Sequence, residues 1–158
     1  YRLLPRLEFY EYDPNSPVLT DWRNRLPDGY VINLIDRDLL GRCEWRDDMV
    51  FYCGSLENFL CNGLGMCLMH KDEIIVETYA SALGSTYAEI GAITHEPYRG
   101  RELAPVAVAH LIETLEQRGY HAYWSCDTDN PASARVARKL GFTIEKPYEI
   151  WEYKAGIV

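Results

Sequence analysis

The sequence predicts a mixed α/β domain in which a mostly antiparallel sheet carries helices on both faces. The chain has 158 residues, 47% of them hydrophobic, which is enough for one domain with a sizeable core. Its first part reads mainly as short apolar runs between turn residues, and its last part as strand, helix, strand, helix, strand. We treat residues 1–158 as one domain. Because the chain begins with Tyr1 rather than Met, residues 1–28 could instead be the tail of an upstream segment.

The first half of the chain predicts an antiparallel meander with short helices. Strands are predicted at residues 6–12, 30–35, 65–70 and 73–81, and helices at 18–26, 36–40 and 55–60. Ser16 and Pro17 are a plausible N-cap and first residue for the first helix. The last two strands are separated only by Lys71-Asp72, which predicts a hairpin. Residues 45–52 are acidic and aromatic without a clear period, so we predict a loop there.

The second half contains the most informative segment. Tyr87–Thr94 reads as a strand, His95–Arg101 as a basic turn, and residues 104–118 as a helix with apolar residues at helical spacing. The first N–H groups of a helix lack internal partners and the helix dipole is positive there, so this turn predicts an anion site. No Gly-Lys-Ser/Thr sequence follows, which excludes a mononucleotide P-loop.

A second helix is predicted after a short strand at residues 121–125. Asn130-Pro131 supplies an N-cap and a first helical residue, and Gly141 ends the helix. Residues 142–153 then return as a strand. The crossover between residues 87 and 125 places the basic turn at the carboxyl end of its strand, where ligands of such sheets bind.

The composition limits the classes of ligand and partner that the chain could bind. The formal net charge is −8, from 24 acidic and 16 basic residues, which argues against nucleic acid and is compatible with a cationic small substrate. No apolar run is long enough to cross a membrane. Five cysteines at irregular spacing suit reduced thiols in a cytoplasmic protein. Cys53, Cys61, Cys67 and His70 match no standard zinc spacing, so we expect no metal. A homodimer is an open alternative to a monomer.

Two ordered motifs resemble the GNAT superfamily of N-acetyltransferases. The segment from Thr94 to Ala104 is similar to the acetyl-CoA loop of that superfamily, whose usual form is R-x-x-G-x-G/A. Asn130 with Ser133, followed by Lys139-Leu140-Gly141-Phe142, resembles its second motif. Residues 55–65 further resemble the branch that includes zwittermicin-resistance acetyltransferases. The resemblance covers most of the chain from Tyr30 onward.

The resemblance implies acetyl-CoA as cosubstrate and a primary amine as acceptor. The pyrophosphate would lie on backbone N–H groups, the pantetheine arm on a strand end, and an asparagine beside the pantetheine or the sulfur. The implied cofactor-binding residues are Ala92, Ile93, Thr94, Arg99, Gly100, Arg101, Glu102, Leu103, Ala104 and Asn130. A backbone N–H at the strand end would polarise the thioester carbonyl.

Two departures from the superfamily pattern bear on catalysis. Glu102 stands where glycine is usual, and we expect its carboxylate to point toward solvent. Ala137 stands where many relatives carry the tyrosine that protonates the departing thiolate, so Cys126, Tyr123 or water must supply that proton.

Acidic and aromatic residues supply the remaining candidates. Glu89, on the strand before the basic turn, could take the proton of the incoming ammonium, or it could be an ordinary solvated strand residue. A cationic amine could be held through charge and cation–π contacts, unless these residues form only an acidic surface loop. The candidates for that substrate-binding role are Trp45, Asp47, Asp48 and Tyr52. His95 opens the cofactor turn and is the one histidine with a plausible role at the site.

We therefore predict an acetyl-CoA-dependent N-acetyltransferase acting on a primary amine of a small molecule, such as an amino-bearing antibiotic or a polyamine-like compound. Two alternatives stay open. The chain could be a non-catalytic module that binds acyl-CoA or another ligand, with Glu102 and Ala137 marking lost chemistry. It could also acetylate a protein N-terminus or lysine.

Overall fold

A computed structural model describes residues 1–153 and shows one seven-stranded sheet with the strand order β2-β3-β4-β5-β6-β1-β7. All neighbouring strands pair antiparallel except β5 and β6, which are parallel. The strands are β1 (Arg2–Tyr12), β2 (Tyr30–Leu34), β3 (Gly65–His70), β4 (Glu73–Leu83), β5 (Tyr87–Thr94), β6 (His121–Asp127) and β7 (Phe142–Glu152). The helices are α1 (Pro17–Arg25), α2 (Arg37–Arg42), α3 (Arg46–Cys53), α4 (Leu56–Asn62), α5 (Ala104–Gln117) and α6 (Pro131–Leu140), with a short 3₁₀ helix at Glu96–Tyr98.

The sheet is covered by helices on both faces, as predicted. One core joins α1, α5 and α6 to the sheet through buried residues such as Trp22, Leu111 and Leu140. A smaller core joins α2, α3 and α4 to the opposite face through Leu40, Met49 and Phe59. The amphipathic pattern of α5 explains its central place, because its apolar residues are buried on the sheet.

The β5–α5–β6 crossover opens a cleft in the sheet. The two strands pair only from Tyr87 to Ile90 on β5 and from His121 to Trp124 on β6. Each strand continues for three or four residues beyond its last pair, to Thr94 and Asp127. The facing backbone edges are therefore unpaired over the carboxyl ends of both strands, where ligands of such sheets bind.

Several local predictions are confirmed. Lys71 and Asp72 have φ values of 48° and 66°, the left-handed geometry of a tight hairpin turn between β3 and β4. Asn130 caps α6, since its Oδ1 accepts the Ser133 N–H at 3.1 Å. Ser16 occupies the N-cap position of α1, but its buried hydroxyl makes no hydrogen bond to a described residue. The predicted N-cap and first-residue positions of Ser16 and Pro17 are confirmed, although the Ser16 side chain does not cap the helix.

The predicted loop at residues 45–52 is also wrong, because residues 46–53 form α3. Trp45 sits at the N-cap position and makes no side-chain cap hydrogen bond. The backbone N–H groups that precede the helix are instead bound by Glu77, which comes from β4. The helix start thus depends on a residue remote in sequence, and no local capping pattern could reveal it.

The first strand takes a position that the sequence did not indicate. β1 was predicted at residues 6–12, begins at Arg2, and lies between β6 and β7, antiparallel to both. Leu7, for example, lies opposite Cys126 on one side and Pro147 on the other. Consequently β1 supplies side chains next to the open ends of β5 and β6.

Within residues 1–153, none of the helices combines the length and the apolar character that crossing a bilayer would require. The same residues bring together no group of three or more His, Cys, Asp or Glu side chains able to hold a metal ion. All five cysteines are free thiols.

Candidate active site

The cleft between the ends of β5 and β6 is a cavity of about 590 Å³. Its floor and walls come from the end of β5, the basic turn, the start of α5 and one side of α6. The structure brings every predicted cofactor-binding residue to this cavity: Ala92, Ile93, Thr94, Arg99, Gly100, Arg101, Glu102, Leu103, Ala104 and Asn130. Trp45 and Trp124 complete its apolar lining.

The basic turn exposes a set of unpaired backbone N–H groups. Those from Gly100 to Ala104 donate to no other described residue. Glu102 has a φ of 57° and is followed by Leu103 in the right-handed helical region, a left-then-right sequence that makes successive N–H groups converge. Together with the positive end of α5, these groups form a concave site suited to a diphosphate.

Basic side chains surround this turn. The Arg99 Nε donates to the carbonyl of Thr94 at 3.1 Å, which ties the turn to the end of β5. The Arg101 guanidinium lies 5.4 Å from the centroid of the Tyr98 ring. Arg135 and Lys139 of α6 line the opposite wall of the cavity. The rim therefore offers a positive surface to an anionic ligand, although the chain as a whole is acidic.

Glu102 lies at the rim of the cavity and pairs with the Lys139 ammonium across it. Its side chain is 71% exposed, and the hydrogen bond from Lys139 lowers the pKa of its carboxyl. In the superfamily this position is usually a glycine, the residue that tolerates a positive φ best. Here a glutamate adopts the same positive φ. Lys139 is correspondingly engaged rather than free.

The sheet face opposite α5 and α6 carries the predicted base. Glu89 accepts hydrogen bonds from the Tyr123 hydroxyl at 3.2 Å and from the Ser125 hydroxyl. Arg6 of β1 donates to Ser125 at 3.2 Å and to Tyr148 at 2.8 Å, and it pairs with Asp127. Burial raises the pKa of Tyr123 to about 12, so this hydroxyl stays protonated at neutral pH.

Cys126 is not brought to this group. It lies in the core beneath α6, 5% exposed, and burial raises the pKa of its thiol. Alternation along β6 places Cys126 on the opposite face from Tyr123 and Ser125. Ala137 is fully buried in the same core, so that position offers neither a proton donor nor space for one.

The four predicted acceptor residues lie at the start of α3 or within it. Trp45 lines the cavity, and a Cβ added at Gly91 would lie 3.8 Å from its ring. Asp47, Asp48 and Tyr52 are exposed on α3 and do not line the cavity. Of these four residues, Trp45 is therefore the one that the cavity brings beside the end of β5.

Sequence reasoning missed three polar side chains of the site. Ser125 of β6 donates to Glu89, and Arg6 of β1 donates to Ser125, as described above. Tyr79 of β4 lies opposite Gly91, with its ring centroid 5.7 Å from that of Trp45. Burial raises the pKa of its hydroxyl. The available signal was strand alternation, which places Tyr79 and Glu89 on one face once the register is known.

A mixed sheet that opens between two parallel strands, beside a turn of unpaired N–H groups, matches the fold of a solved N-acetyltransferase-like protein. The sequence profile of the family described as GNAT acetyltransferase matches residues 4–151. The chain therefore belongs to the GNAT acetyltransferase family.

Individual relatives agree with this assignment. The chain is 30% identical over 144 residues to a curated protein of Bacillus subtilis (strain 168) named uncharacterized N-acetyltransferase YdfB, covering 90% of the chain and 54% of that protein. A crystal structure of a GCN5-related N-acetyltransferase-like protein from Streptococcus suis 89/1591 is similar with a TM-score of 0.79 and 32% identity, over 94% of the chain and 60% of that protein.

A GNAT-family protein from Novosphingobium aromaticivorans shares the fold with a TM-score of 0.63 at 17% identity, over 94% of the chain and 63% of that protein. The chain thus spans 54% of the length of the Bacillus subtilis relative and 60% of that of the Streptococcus suis protein.

Proposed function

We propose that this domain transfers the acetyl group of acetyl-CoA to a primary amine of a small molecule. The observation that carries the proposal is the cavity of about 590 Å³, in which a turn of unpaired N–H groups faces the unpaired edges of β5 and β6. This arrangement offers a diphosphate site and an extended backbone edge within one cleft. Along acetyl-CoA the diphosphate is followed by a peptide-like pantetheine arm, which matches the order of these two features in the cleft.

The chain's own groups would hold acetyl-CoA along this cleft. The N–H groups of Gly100 to Ala104 bind the diphosphate, with Arg99 and Arg101 beside them. The backbone of Ile93 and Thr94 pairs with the pantetheine arm, and a strand-end N–H polarises the thioester carbonyl. Asn130 still has its amide N–H₂ available, since only its oxygen is used to cap α6.

Glu89 is the proposed general base. It shares a face of β5 with Gly91 and Ile93, and Trp45 packs over Gly91 on that face. The carboxylate takes a proton from the ammonium, directly or through water, and the freed amine attacks the thioester carbonyl. A C–N bond forms, the C–S bond breaks, the attacking nitrogen loses its second proton to give the neutral amide, and the thiolate of coenzyme A takes up a proton. Tyr123 and Tyr79, both on this face, are the proposed donors, and Cys126 is not used.

The charge around this face favours a cationic or neutral acceptor. Arg6 is engaged by Asp127, Ser125 and Tyr148, so its guanidinium is already satisfied. Asp48 on α3 contributes negative charge toward Tyr79. A small amine of the polyamine or amino-antibiotic type fits these charges better than an acidic acceptor does. Membership in the zwittermicin-resistance-like branch, which residues 55–65 resemble, is part of the same proposal.

The test is release of free thiol from acetyl-CoA in the presence of a panel of amines. The panel contains polyamines, aminoglycosides and peptides with free N-termini. The proposal expects thiol release that depends on at least one small amine and is lost in Glu89→Gln. Thermal stabilisation by coenzyme A without thiol release from any amine would identify a binding module. Release with peptides alone would assign a protein acceptor instead.

A further inference from the structure

Glu77 of β4 is a fully buried carboxylate that lies outside the proposed catalytic group. Its Oε2 accepts the Glu44 N–H at 2.7 Å, and its Oε1 accepts the Trp45 N–H at 3.0 Å. His95 binds the same carboxylate, with its Nε2 2.5 Å from Oε2. A carboxylate is buried at an acceptable cost only when such donors surround it, so this site is built around Glu77.

The three groups bound to Glu77 come from two segments of the chain, one that follows β5 and one that precedes α3. His95 directly follows Thr94, and its N–H donates to the carbonyl of Ile75 at 2.9 Å, which fixes the start of the cofactor turn to β4. Glu44 and Trp45 precede α3, which has no capping side chain of its own. Glu77 therefore joins the start of the basic turn to the start of α3.

Trp45 is the residue through which this connection reaches the site. Its ring lines the cavity with Ile93 and Thr94 and lies against Gly91. The end of β5 is where the acetyl group would lie according to the proposed function, on which this inference rests. A shift of the Trp45 backbone would therefore move an aromatic wall at the acetyl end, and leave the diphosphate turn unchanged.

We infer that Glu77, together with His95, is a positioning residue that holds the indole of Trp45 over the acetyl end of the cleft. The carboxylate needs both of its oxygens for this role, because each accepts one of the two backbone N–H groups. A glutamine has a single accepting oxygen and cannot satisfy both donors together with His95. Its substitution removes the connection with little change in side-chain volume.

The experiment compares Glu77→Gln with a matched control, Glu57→Gln. Glu57 is an exposed acid paired with Arg37, so its variant changes net charge equally without touching the cavity. The fluorescence of Trp45, taken as the difference between each protein and its Trp45→Phe counterpart, is recorded on adding acetyl-CoA and coenzyme A. Calorimetry measures the Kd of coenzyme A in parallel.

In the wild type and in Glu57→Gln, we expect the Trp45 fluorescence change to differ between acetyl-CoA and coenzyme A. In Glu77→Gln, we expect this difference to be at least fivefold smaller. The Kd of coenzyme A should stay within threefold. A Trp45 signal of wild-type size in Glu77→Gln, or no acetyl-dependent signal in a wild type that binds coenzyme A, would overturn the inference. A wild type that fails to bind coenzyme A would instead refute the proposed function.

A second pair of variants keeps the test decisive if Glu77→Gln does not fold. His95→Ala removes one donor to the carboxylate, whereas His95→Gln retains an N–H that can reach it. The positioning role predicts a reduced Trp45 signal in His95→Ala and recovery of at least half of it in His95→Gln. Equal loss in both variants would indicate that His95 acts only through packing of its ring, and would overturn the inference.

Discussion

Replacing Glu102 with glutamine is expected to tighten the binding of coenzyme A. The carboxylate lines the rim of the cavity next to the N–H groups proposed to hold the diphosphate, and it pairs with Lys139. Glutamine keeps the size of the side chain, removes one negative charge from the rim and releases the Lys139 ammonium to interact with phosphate. Both changes act in the same direction.

The size of the effect follows from charge and exposure. A single charge about 7 Å from a doubly charged diphosphate in a water-like medium changes a binding constant by roughly threefold to tenfold at low salt. The Glu102 side chain is 71% exposed, so the water-like value applies rather than that of a buried pair. We therefore expect Kd to fall about threefold to tenfold in dilute buffer, and the gain to shrink to less than about twofold at 0.5 M salt.

Isothermal titration calorimetry with coenzyme A at two salt concentrations measures this directly. Glu145→Gln is the matched control, because Glu145 pairs with Arg138 on the same helix as Lys139 and neither residue lines the cavity. The control should change Kd by less than about 1.5-fold. Unchanged or weaker binding in Glu102→Gln, or an equal gain in both variants, would refute the local electrostatic reasoning.

The remaining predictions concern catalysis and stability. Glu89→Gln should lower kcat by roughly 10²–10⁴-fold and leave the Kd of coenzyme A unchanged, as steady-state assays and calorimetry would show; an unaltered kcat would exclude the proposed base. Arg23 lowers the pKa of Glu113, so the stability this carboxylate contributes is present above the unfolded-state value near about 4.3 and is lost as pH falls through the lower folded-state pKa. Urea unfolding of Glu113→Gln should therefore show a loss of about 1 kcal/mol at pH 7 that disappears near pH 2, whereas a loss independent of pH would contradict this origin. Gly141→Ala should destabilise the domain by about 2–4 kcal/mol, because φ is 94° and the new Cβ would lie 2.7 Å from the Cβ of Ser16. Gly54→Ala, where φ is 84° and the space is open, should destabilise it by only about 1 kcal/mol. Equal melting temperatures of the two variants would show that the clash at Gly141 relaxes.

Local sequence patterns were sufficient to predict those elements whose structure depends on neighbouring residues. The hairpin at Lys71-Asp72, the basic turn before α5 and the capped helix from Asn130 to Gly141 each have their determinants within about a dozen residues. For the same reason the cofactor-binding candidates converge on one cavity, since the motif residues lie on the crossover and the helix that form it.

The sequence did not predict those features that depend on contacts between distant segments of the chain. The start of α3 is bound by Glu77 rather than by a local cap, so an acidic and aromatic segment without a clear period was predicted as a loop. The insertion of β1 between β6 and β7 brings Arg6 to Ser125, which donates to Glu89, and no spacing in the sequence specifies that pairing. The burial of Cys126 likewise depends on which face of β6 meets α6.

The central claim is that main-chain N–H groups of the basic turn bind the diphosphate of coenzyme A. The most direct measurement is a titration of ¹⁵N-labelled protein with coenzyme A, followed through the backbone amide resonances. We expect the largest downfield proton shifts on the amides of Gly100 to Ala104, which are free of other partners among the described residues. Saturating coenzyme A that leaves these amides unshifted, or shifts chiefly amides outside the cavity, would contradict it.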